Sequence, residues 1–205
     1  SGSVVASRLS ESGKHSVLLL EAGGQDRYTI RHRLKGGLGL ELFLDWAKVP
    51  LGMYKLWMNP DFVWQFSTLS EEYMKGQKNY CPRGKLLGGT SSINGLIISR
   101  GDPYEYDRWE EKNCPGWGYA SVLPLFKKME DREGGDPYFR GRGGPITVSD
   151  IPFRDELSEA FFHSCVESGI QPTEDYNGNK YEGVAYLQLS TRNGERCSTA
   201  VGYLR

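Results

Sequence analysis

The most informative segment of the chain is Pro82-Arg83-Gly84-Lys85-Leu86-Leu87-Gly88-Gly89-Thr90-Ser91-Ser92-Ile93-Asn94-Gly95. A Walker A loop needs Ser or Thr directly after its Gly-Lys pair, and Leu86 stands there instead, so this is not a Walker A loop. Two consecutive glycines followed by three hydroxyl residues can turn backbone N–H groups toward an anion. Asn94 can donate and accept hydrogen bonds at a ring edge. The segment therefore predicts a loop that contacts a phosphate or a cofactor, although a plain serine-rich turn has the same composition.

A second signal lies at the start of the chain. Residues 4–12 have apolar positions at helical spacing, and residues 16–20 form a short apolar run that is typical of a buried parallel strand. Gly2 opens the helix, and Glu21 follows the strand nineteen positions later. Dinucleotide-binding folds place a glycine turn before such a helix and an acidic residue about 20 positions onward, where it accepts hydrogen bonds from the ribose hydroxyls. The pattern fits that start, with the first strand expected to be missing, but a terminal glycine and an ordinary surface Glu would give the same letters.

Further along, the sequence alternates between helical and extended patterns. We predict strands at 61–68, 145–148 and 183–190, a turn at Asn193-Gly194, and helices at 104–109, 120–129 and 155–168. Asp102 and Ser198 are placed to cap helices, and Pro124 is expected in the first turn of its helix. Together with the opening, these elements predict an α/β fold.

Composition excludes several classes of partner. A net charge of −1 gives no basic field that would attract nucleic acid, and the longest apolar run, residues 17–20, is far too short to span a membrane. The four cysteines at 81, 114, 165 and 197 form no close pair of the kind that binds metals, so no metal site is predicted.

The glycine–serine segment, followed by Arg100-Gly101 and the run at 106–109, resembles the first signature of the glucose–methanol–choline (GMC) oxidoreductase family. The opening, with S-G-S-V-V-A-S-R-L-S-E and then V-L-L-L-E-A-G-G, is similar to the FAD-binding start of that family. Further matches occur in the family's order at residues 116–117, 123–128, 143–146 and 194–204. Two departures stand out: Ile98 replaces the usual aromatic or small residue, and the first two glycines of the dinucleotide turn are lacking.

The resemblance implies a Rossmann-like FAD-binding domain at 1–150, incomplete at its first strand, and the start of an α+β substrate-binding domain at 151–205. It implies FAD as the cofactor, a small-molecule alcohol as the substrate, and hydride transfer from the alcohol to flavin N5, with an electron acceptor that the sequence does not identify. The positions that match the family's cofactor contacts are Gly2, Glu21, Arg83, Gly88, Gly89, Thr90, Asn94, Gly95, Leu96 and Ile97.

No catalytic residue is predicted within the chain. The family's base is a His near the carboxyl end, and neither His15, His32 nor His163 matches its motif, so the chain alone is expected to be inactive. Two other interpretations stay open: a lyase that retains FAD structurally, as in relatives that cleave hydroxynitriles, and a non-catalytic truncated product. An NAD dehydrogenase is disfavoured because the glycine–serine–Asn segment has no role in that simpler site.

Overall fold

The computed structural model describes residues 1–26, 29–33 and 41–205, and for 29–33 and 41–44 it describes the backbone alone. Two compact units divide the chain. The first comprises Ser1–Leu96 together with Asn193–Arg205, and the second comprises Ile97–Arg192. These boundaries differ from the functional division at residue 150, which stays a prediction.

The first unit contains short helices and hairpins. Its elements are α1 (Gly2–Ser10), β1 (Thr29–Arg33), β2 (Glu41–Asp45), α2 (Met53–Trp57), β3 (Val63–Ser67), β4 (Tyr80–Gly84), β9 (Glu195–Arg196) and α6 (Thr199–Tyr203). Strands β1 and β2 pair antiparallel, as do β3 and β4, in which Val63 lies opposite Gly84. Short 3₁₀ helices occupy Pro50–Gly52, Glu72–Met74 and Gly89–Ser92.

A small hydrophobic core holds the first unit together. It consists of Ala47, Leu56, Phe62, Val63, Leu86 and Ile93, with Trp46 and Trp57 packed against it. Leu86 and Ile93 belong to the glycine–serine segment, and the Trp57 indole N–H donates to the Ile93 carbonyl at 2.7 Å. Burial of these side chains removes apolar surface from water and fixes the chain on both sides of residues 88–92.

The second unit combines three longer helices with a small sheet. Its elements are α3 (Pro103–Glu111), α4 (Tyr119–Met129), β5 (Glu130–Arg132), β6 (Ile146–Asp150), α5 (Glu156–Glu167), β7 (Gln188–Leu189) and β8 (Thr191–Arg192). Strand β6 lies between β5, its parallel partner, and β7, its antiparallel partner. Val122, Leu123, Ile146 and Val148 are buried there, together with several charged side chains.

Local hydrogen bonds confirm the predicted helix starts. The Asp102 carboxylate accepts from the Tyr104 N–H at 2.9 Å, and Asp155 accepts from Leu157 and Ser158. The Ser198 hydroxyl accepts from the Val201 N–H at 3.2 Å. Each cap satisfies one or two of the N–H groups that a helix leaves unpaired at its start.

Three local predictions were wrong. Pro124 lies inside α4, because the helix begins at Tyr119 and leaves the proline beyond its first turn. The extended segment 183–190 contributes only β7 to the sheet. Residues 16–20 form no strand pairing within the described part of the chain, and Leu18 and Leu20 are 81% and 82% exposed, because no neighbouring strand covers them there.

Candidate functional site

The turn that follows residue 20 docks onto the glycine–serine segment. The Gly23 N–H donates to the Glu21 carboxylate at 2.9 Å, and the Leu87 N–H donates to the Gly24 carbonyl at 3.0 Å. Gly23 approaches so closely that a Cβ atom there would lie 1.7 Å from the Lys85 carbonyl oxygen. Only glycine allows this contact, which brings Glu21 next to the loop at Gly88.

The loop turns on two glycines with left-handed backbone. Gly88 has φ 85° and Gly89 has φ 58°, a region that glycine enters without strain, and the 3₁₀ helix starts at Gly89. A Cβ atom on Gly88 would lie 2.4 Å from the Ser92 hydroxyl oxygen. Both the backbone angle and the available space therefore require glycine at position 88, whereas at position 89 the backbone angle alone favours it.

The three hydroxyl side chains of the loop fold back onto the backbone. Thr90 Oγ1 accepts from the Gly84 N–H at 3.0 Å, Ser91 Oγ donates to the Gly88 carbonyl at 2.7 Å, and Ser92 Oγ donates to the Leu87 carbonyl at 2.8 Å. These bonds satisfy polar groups within the loop and fix its shape. Ligand contacts from the loop therefore fall chiefly to its backbone.

Helix α6 closes the loop from the other side. The Thr199 N–H donates to Ser91 Oγ at 3.0 Å, and the Thr199 hydroxyl lies 2.9 Å from Ser91 Oγ and 3.2 Å from the Gly88 carbonyl oxygen. Ala200 is buried against Gly88. The loop is therefore held by chain that lies more than one hundred residues further along.

A cleft of about 330 Å³ opens between these elements, all within the first unit. Five of the predicted cofactor positions line it together: Gly2, Glu21, Gly88, Gly89 and Thr90. Ser3, Leu87, Ser91 and Thr199 also line it, and sequence reasoning missed them. The cap signal at Ser198 marked the start of α6, but no local pattern linked that helix to residue 88.

Helix α1 directs its amino-terminal end at the cleft, where Ser1, Gly2 and Ser3 form part of the wall. Its first turn contains no acidic residue. The first N–H groups of a helix lack partners within the helix, and the helix dipole makes that end electropositive. The wall near Gly2 therefore favours an anionic group, whereas the carboxylate of Glu21 offers acceptor oxygens to hydroxyl groups.

The other five predicted positions lie outside the lining of this cleft. Arg83 belongs to β4, and its guanidinium donates to the neighbouring Pro82 carbonyl at 2.9 Å. Gly95 and Leu96 continue the chain beyond the 3₁₀ helix, and Leu96 has the positive φ of 70°. Ile97 belongs to the second unit and is half exposed.

Asn94 is fixed by two donors. Its Oδ1 accepts from Arg196 Nη1 at 2.9 Å and from the Leu96 N–H at 3.1 Å. Because an amide nitrogen in that place would face two donors, the orientation of the side-chain amide is determined by the network. Asn94 therefore uses its oxygen within the protein, and only the NH₂ group is left to interact with a ligand.

Residues 5–205 match the family model described as GMC oxidoreductase. The chain belongs to the GMC oxidoreductase family. This confirms the resemblance that was read from the glycine–serine segment and from the matches that follow it.

Curated GMC relatives align with the whole chain. The oxygen-dependent choline dehydrogenase of Vibrio vulnificus (strain YJ016) is 38% identical over 205 residues, covering 99% of this chain and 34% of that protein. The corresponding protein of Rhizobium rhizogenes (strain K84 / ATCC BAA-868) is 39% identical over 204 residues, again 34% of its length. The GMC chain therefore spans about a third of the curated relatives it matches.

Solved structures confirm the α/β fold. Pyridoxine 4-oxidase from Mesorbium loti superimposes with a TM-score of 0.84 at 26% identity, covering 100% of this chain and 37% of that one. A formate oxidase from Aspergillus oryzae RIB40 gives a TM-score of 0.79 at 22% identity, covering 97% and 34%, a likeness of fold alone. The fold of the GMC chain is thus that of flavin-binding oxidoreductases in this family.

No group of three or more His, Cys, Asp or Glu side chains suited to a metal ion occurs in residues 1–26, 29–33 and 41–205. Over the same residues, no helix has the length and apolar character needed to cross a membrane. His163 is exposed on α5, where its Nε2 lies 3.8 Å from Glu159.

Proposed function

We propose that this chain is the FAD-binding part of an oxidoreductase that acts on the CH–OH group of a small-molecule alcohol. The observation that carries the proposal is the cleft in the first unit, which gathers Gly2, Glu21 and the Gly88–Gly89–Thr90 loop. These are the residues that the family resemblance assigns to one extended dinucleotide. The names of the relatives, choline dehydrogenase and pyridoxine 4-oxidase, support an alcohol as the substrate class.

The donors and acceptors of the cleft fit FAD. The amino-terminal end of α1 suits a pyrophosphate, because backbone N–H groups and the helix dipole both favour negative charge. Glu21 keeps Oε1 on the Gly23 N–H, and a carboxylate has further lone pairs that can accept from ribose hydroxyls. The same negative charge disfavours a ligand with a 2′-phosphate. A volume of about 330 Å³ is at the low end for small-molecule sites, which suits part of an extended cofactor.

The residues of this chain hold and orient the cofactor. Gly2, Gly88, Gly89 and Thr90 would line the path of its phosphates, and the close packing of Gly23 against Lys85 would keep Glu21 at the ribose. When bound, FAD supplies the hydride acceptor at N5. We place Asn94, Gly95, Leu96 and Ile97 nearer the flavin, as the family resemblance implies, and Arg83 among the cofactor contacts, where it adds positive charge.

An absorbance spectrum of the complete purified protein tests the proposal. We expect a flavin spectrum that bleaches when small alcohols are added without oxygen, and choline and pyridoxine are the first alcohols to try. A protein without a flavin would contradict the cofactor assignment. A bound flavin that no alcohol bleaches would favour a lyase of the hydroxynitrile-cleaving type instead.

The electron acceptor is tested in the same preparation. After the flavin has been reduced by alcohol, air is admitted and the return of the oxidised spectrum is timed against hydrogen peroxide formation. Rapid return with peroxide indicates an oxidase, and slow return indicates that another acceptor is used. A flavin-free protein without alcohol turnover would favour the non-catalytic reading.

A further inference from the structure

Arg196 is a buried cation held by neutral groups. The residue is 3% exposed, and its Nε donates to the Ala47 carbonyl at 2.9 Å. Its Nη1 donates to Asn94 Oδ1 at 2.9 Å and lies 3.3 Å from the Ser91 carbonyl oxygen. All these groups belong to the first unit. The arginine therefore joins the end of β9 to both the core and the glycine–serine segment.

No carboxylate compensates this charge within the described part of the chain: burial is the single cause of the shift in the pKa of Arg196, and no Asp or Glu acts on it there. Its Nη2 is buried without a hydrogen-bond partner there. Burial lowers the pKa of Arg196 to about 10, so the side chain still carries its proton at neutral pH. Burying a cation among neutral partners lowers the free energy of unfolding. Packing alone therefore does not explain why an arginine occupies this position.

The contact with Asn94 determines what that residue can offer. Two donors, Arg196 Nη1 and the Leu96 N–H, converge on Oδ1, so the amide cannot rotate by half a turn without placing its NH₂ group against them. Asn94 is half-buried, and among the described residues its side-chain hydrogen bonds are the two that Oδ1 accepts, so Nδ2 donates to none of them. The amide is therefore oriented so that its NH₂ group can donate a hydrogen bond to a ligand.

We propose that Arg196 is a positioning residue that acts through Asn94, holding the amide as a donor to the acceptor edge of the flavin ring. This inference rests on the proposed function. Flavin rings accept hydrogen bonds at carbonyl oxygens and ring nitrogens, and donors there favour the electron-rich reduced form. Arg196 itself stays behind Asn94 and is not assigned any contact with the cofactor.

The test is a double-mutant cycle in the complete protein, made with Arg196→Gln, Asn94→Ala and both together. The readouts are the oxidised flavin spectrum and the equilibrium between the bound flavin and a reference redox dye. We expect Arg196→Gln to shift that equilibrium toward oxidised flavin by about tenfold, the size of one hydrogen bond to a charged group. In the Asn94→Ala background the same change should produce no further shift.

Loss of packing is separated from positioning by thermal unfolding. Arg196→Gln also removes the bond to the Ala47 carbonyl, so it should lower Tm in both backgrounds, whereas the dye equilibrium should shift only where Asn94 is present. Lys48→Gln is the matched control, because Lys48 is a nearby cation that is partly exposed and pairs with Glu195 at 3.2 Å. We expect this control to leave the dye equilibrium unchanged.

Asn94→Asp provides a second route that leaves Arg196 intact. The aspartate keeps an oxygen for Arg196 and replaces the donor group with an acceptor of nearly the same shape. We expect it to shift the dye equilibrium toward oxidised flavin by tenfold or more.

Three results would overturn the inference. The first is an equal shift by Arg196→Gln in both backgrounds, which would show a direct charge effect. The second is a dye equilibrium that Asn94→Asp does not shift. The third, a wild-type protein without flavin, would overturn the proposed function as well, whereas the first two leave it standing.

Discussion

The two units of this chain use polar groups in opposite ways. In the first unit, polar backbone around Gly88 and Gly89 faces a cleft, and the side chains of Thr90, Ser91 and Ser92 serve mainly to shape it. In the second unit, buried charged side chains face one another. The first arrangement leaves polar groups that can contact a ligand, whereas in the second the polar groups bond chiefly to one another.

The charged interior of the second unit centres on Glu130, which is 2% exposed. Its Oε2 lies 3.0 Å from Arg100 Nη2, its Oε1 lies 3.1 Å from Arg140 Nε, and Oε1 also accepts from the Gly141 N–H at 3.0 Å. Gln188 Oε1 accepts from Arg140 Nη2 at 3.1 Å. Burial lowers the pKa of Arg140, while the charge of Glu130 opposes that shift.

The difference between the two units indicates which of them can bind a ligand. A buried cluster in which two arginines, Arg100 and Arg140, face two carboxylates, Glu130 and Asp175, has little capacity for a ligand, however many ionisable groups it contains. A loop built from glycine backbone has few ionisable groups, yet it can present N–H donors to a phosphate.

Glu130→Gln should destabilise the second unit most. The substitution leaves Arg100 and Arg140 buried without the Glu130 carboxylate, while Arg140 keeps its pair with Asp175 at 3.6 Å, and breaking a buried ion pair costs about 3–5 kcal/mol. The free energy of unfolding in urea measures the loss. Glu105→Gln is the control, because its pair with Arg108 is exposed on α3 and its removal should leave the urea midpoint unchanged. Equal midpoints for the two variants would contradict the contrast.

Gly23→Ala should disrupt the first unit through a single methyl group. A Cβ atom there would lie 1.7 Å from the Lys85 carbonyl oxygen, and forced overpacking of this kind costs about 1–3 kcal/mol. We expect lower Tm and reduced flavin content in the complete protein. Gly24→Ala is the matched control, since a Cβ atom on Gly24 meets no atom within 4 Å. If both variants behaved alike, the close approach would not be what places Glu21.

Glu21→Gln should weaken cofactor binding without a change in stability. The side chain is exposed, and its amide oxygen can still accept from the Gly23 N–H, but the charged acceptor for the ribose is lost. We expect the FAD Kd of the apoprotein to rise about tenfold, measured by quenching of flavin fluorescence. Glu11→Gln, which removes an exposed carboxylate that pairs with Arg8, should leave Kd unchanged. An unaltered Kd in Glu21→Gln would exclude Glu21 from the site.

The smallest expected effect is that of alkaline pH on the stability of the two units. Burial raises the pKa of Tyr106 and Tyr176 in the second unit, so their stabilising contribution is complete below their ordinary pKa of 10.0 and is lost as pH rises through the folded values. In the first unit the pKa of Tyr203 is also raised, but Arg196 acts in the opposite direction, because its pKa is lowered to about 10 and its unfavourable burial is relieved above that pH.

Urea unfolding curves between pH 8 and pH 11 measure this effect. The midpoint should fall above pH 10, and Arg196→Gln should make the fall steeper by removing the opposing contribution. A midpoint that rises over this range in the wild type would contradict the assignment of the tyrosines.

The parts of the fold that depend on neighbouring residues could be predicted from the sequence. The caps at Asp102, Asp155 and Ser198 each bond to N–H groups two or three residues away, so the pattern contains the whole interaction. The glycines at 88 and 89 likewise favour the positive φ values found there, because glycine has no Cβ atom. This is why the sequence indicated the loop of the candidate site and five residues of the cleft.

The parts of the fold that depend on contacts between residues far apart in the sequence could not be predicted. Residues 16–20 have the composition of a buried strand, but a strand exists only where a partner pairs with it, and none does so among the described residues. Thr199 and Arg196 reach the glycine–serine segment across more than one hundred positions. No local sequence pattern encodes such a contact, so the orientation of Asn94 is seen only in the structure.

The discontinuity of the first unit imposes an order of events during synthesis. Its first ninety-six residues must wait for the ninety-six residues of 97–192 before β9 and α6 emerge to complete it. At about 5–20 residues per second, that interval is on the order of 5–20 seconds on the ribosome. A nascent chain in this interval has its glycine loop but lacks Thr199 beside it, so a bound coenzyme would be acquired late, after translation has passed the end of α6.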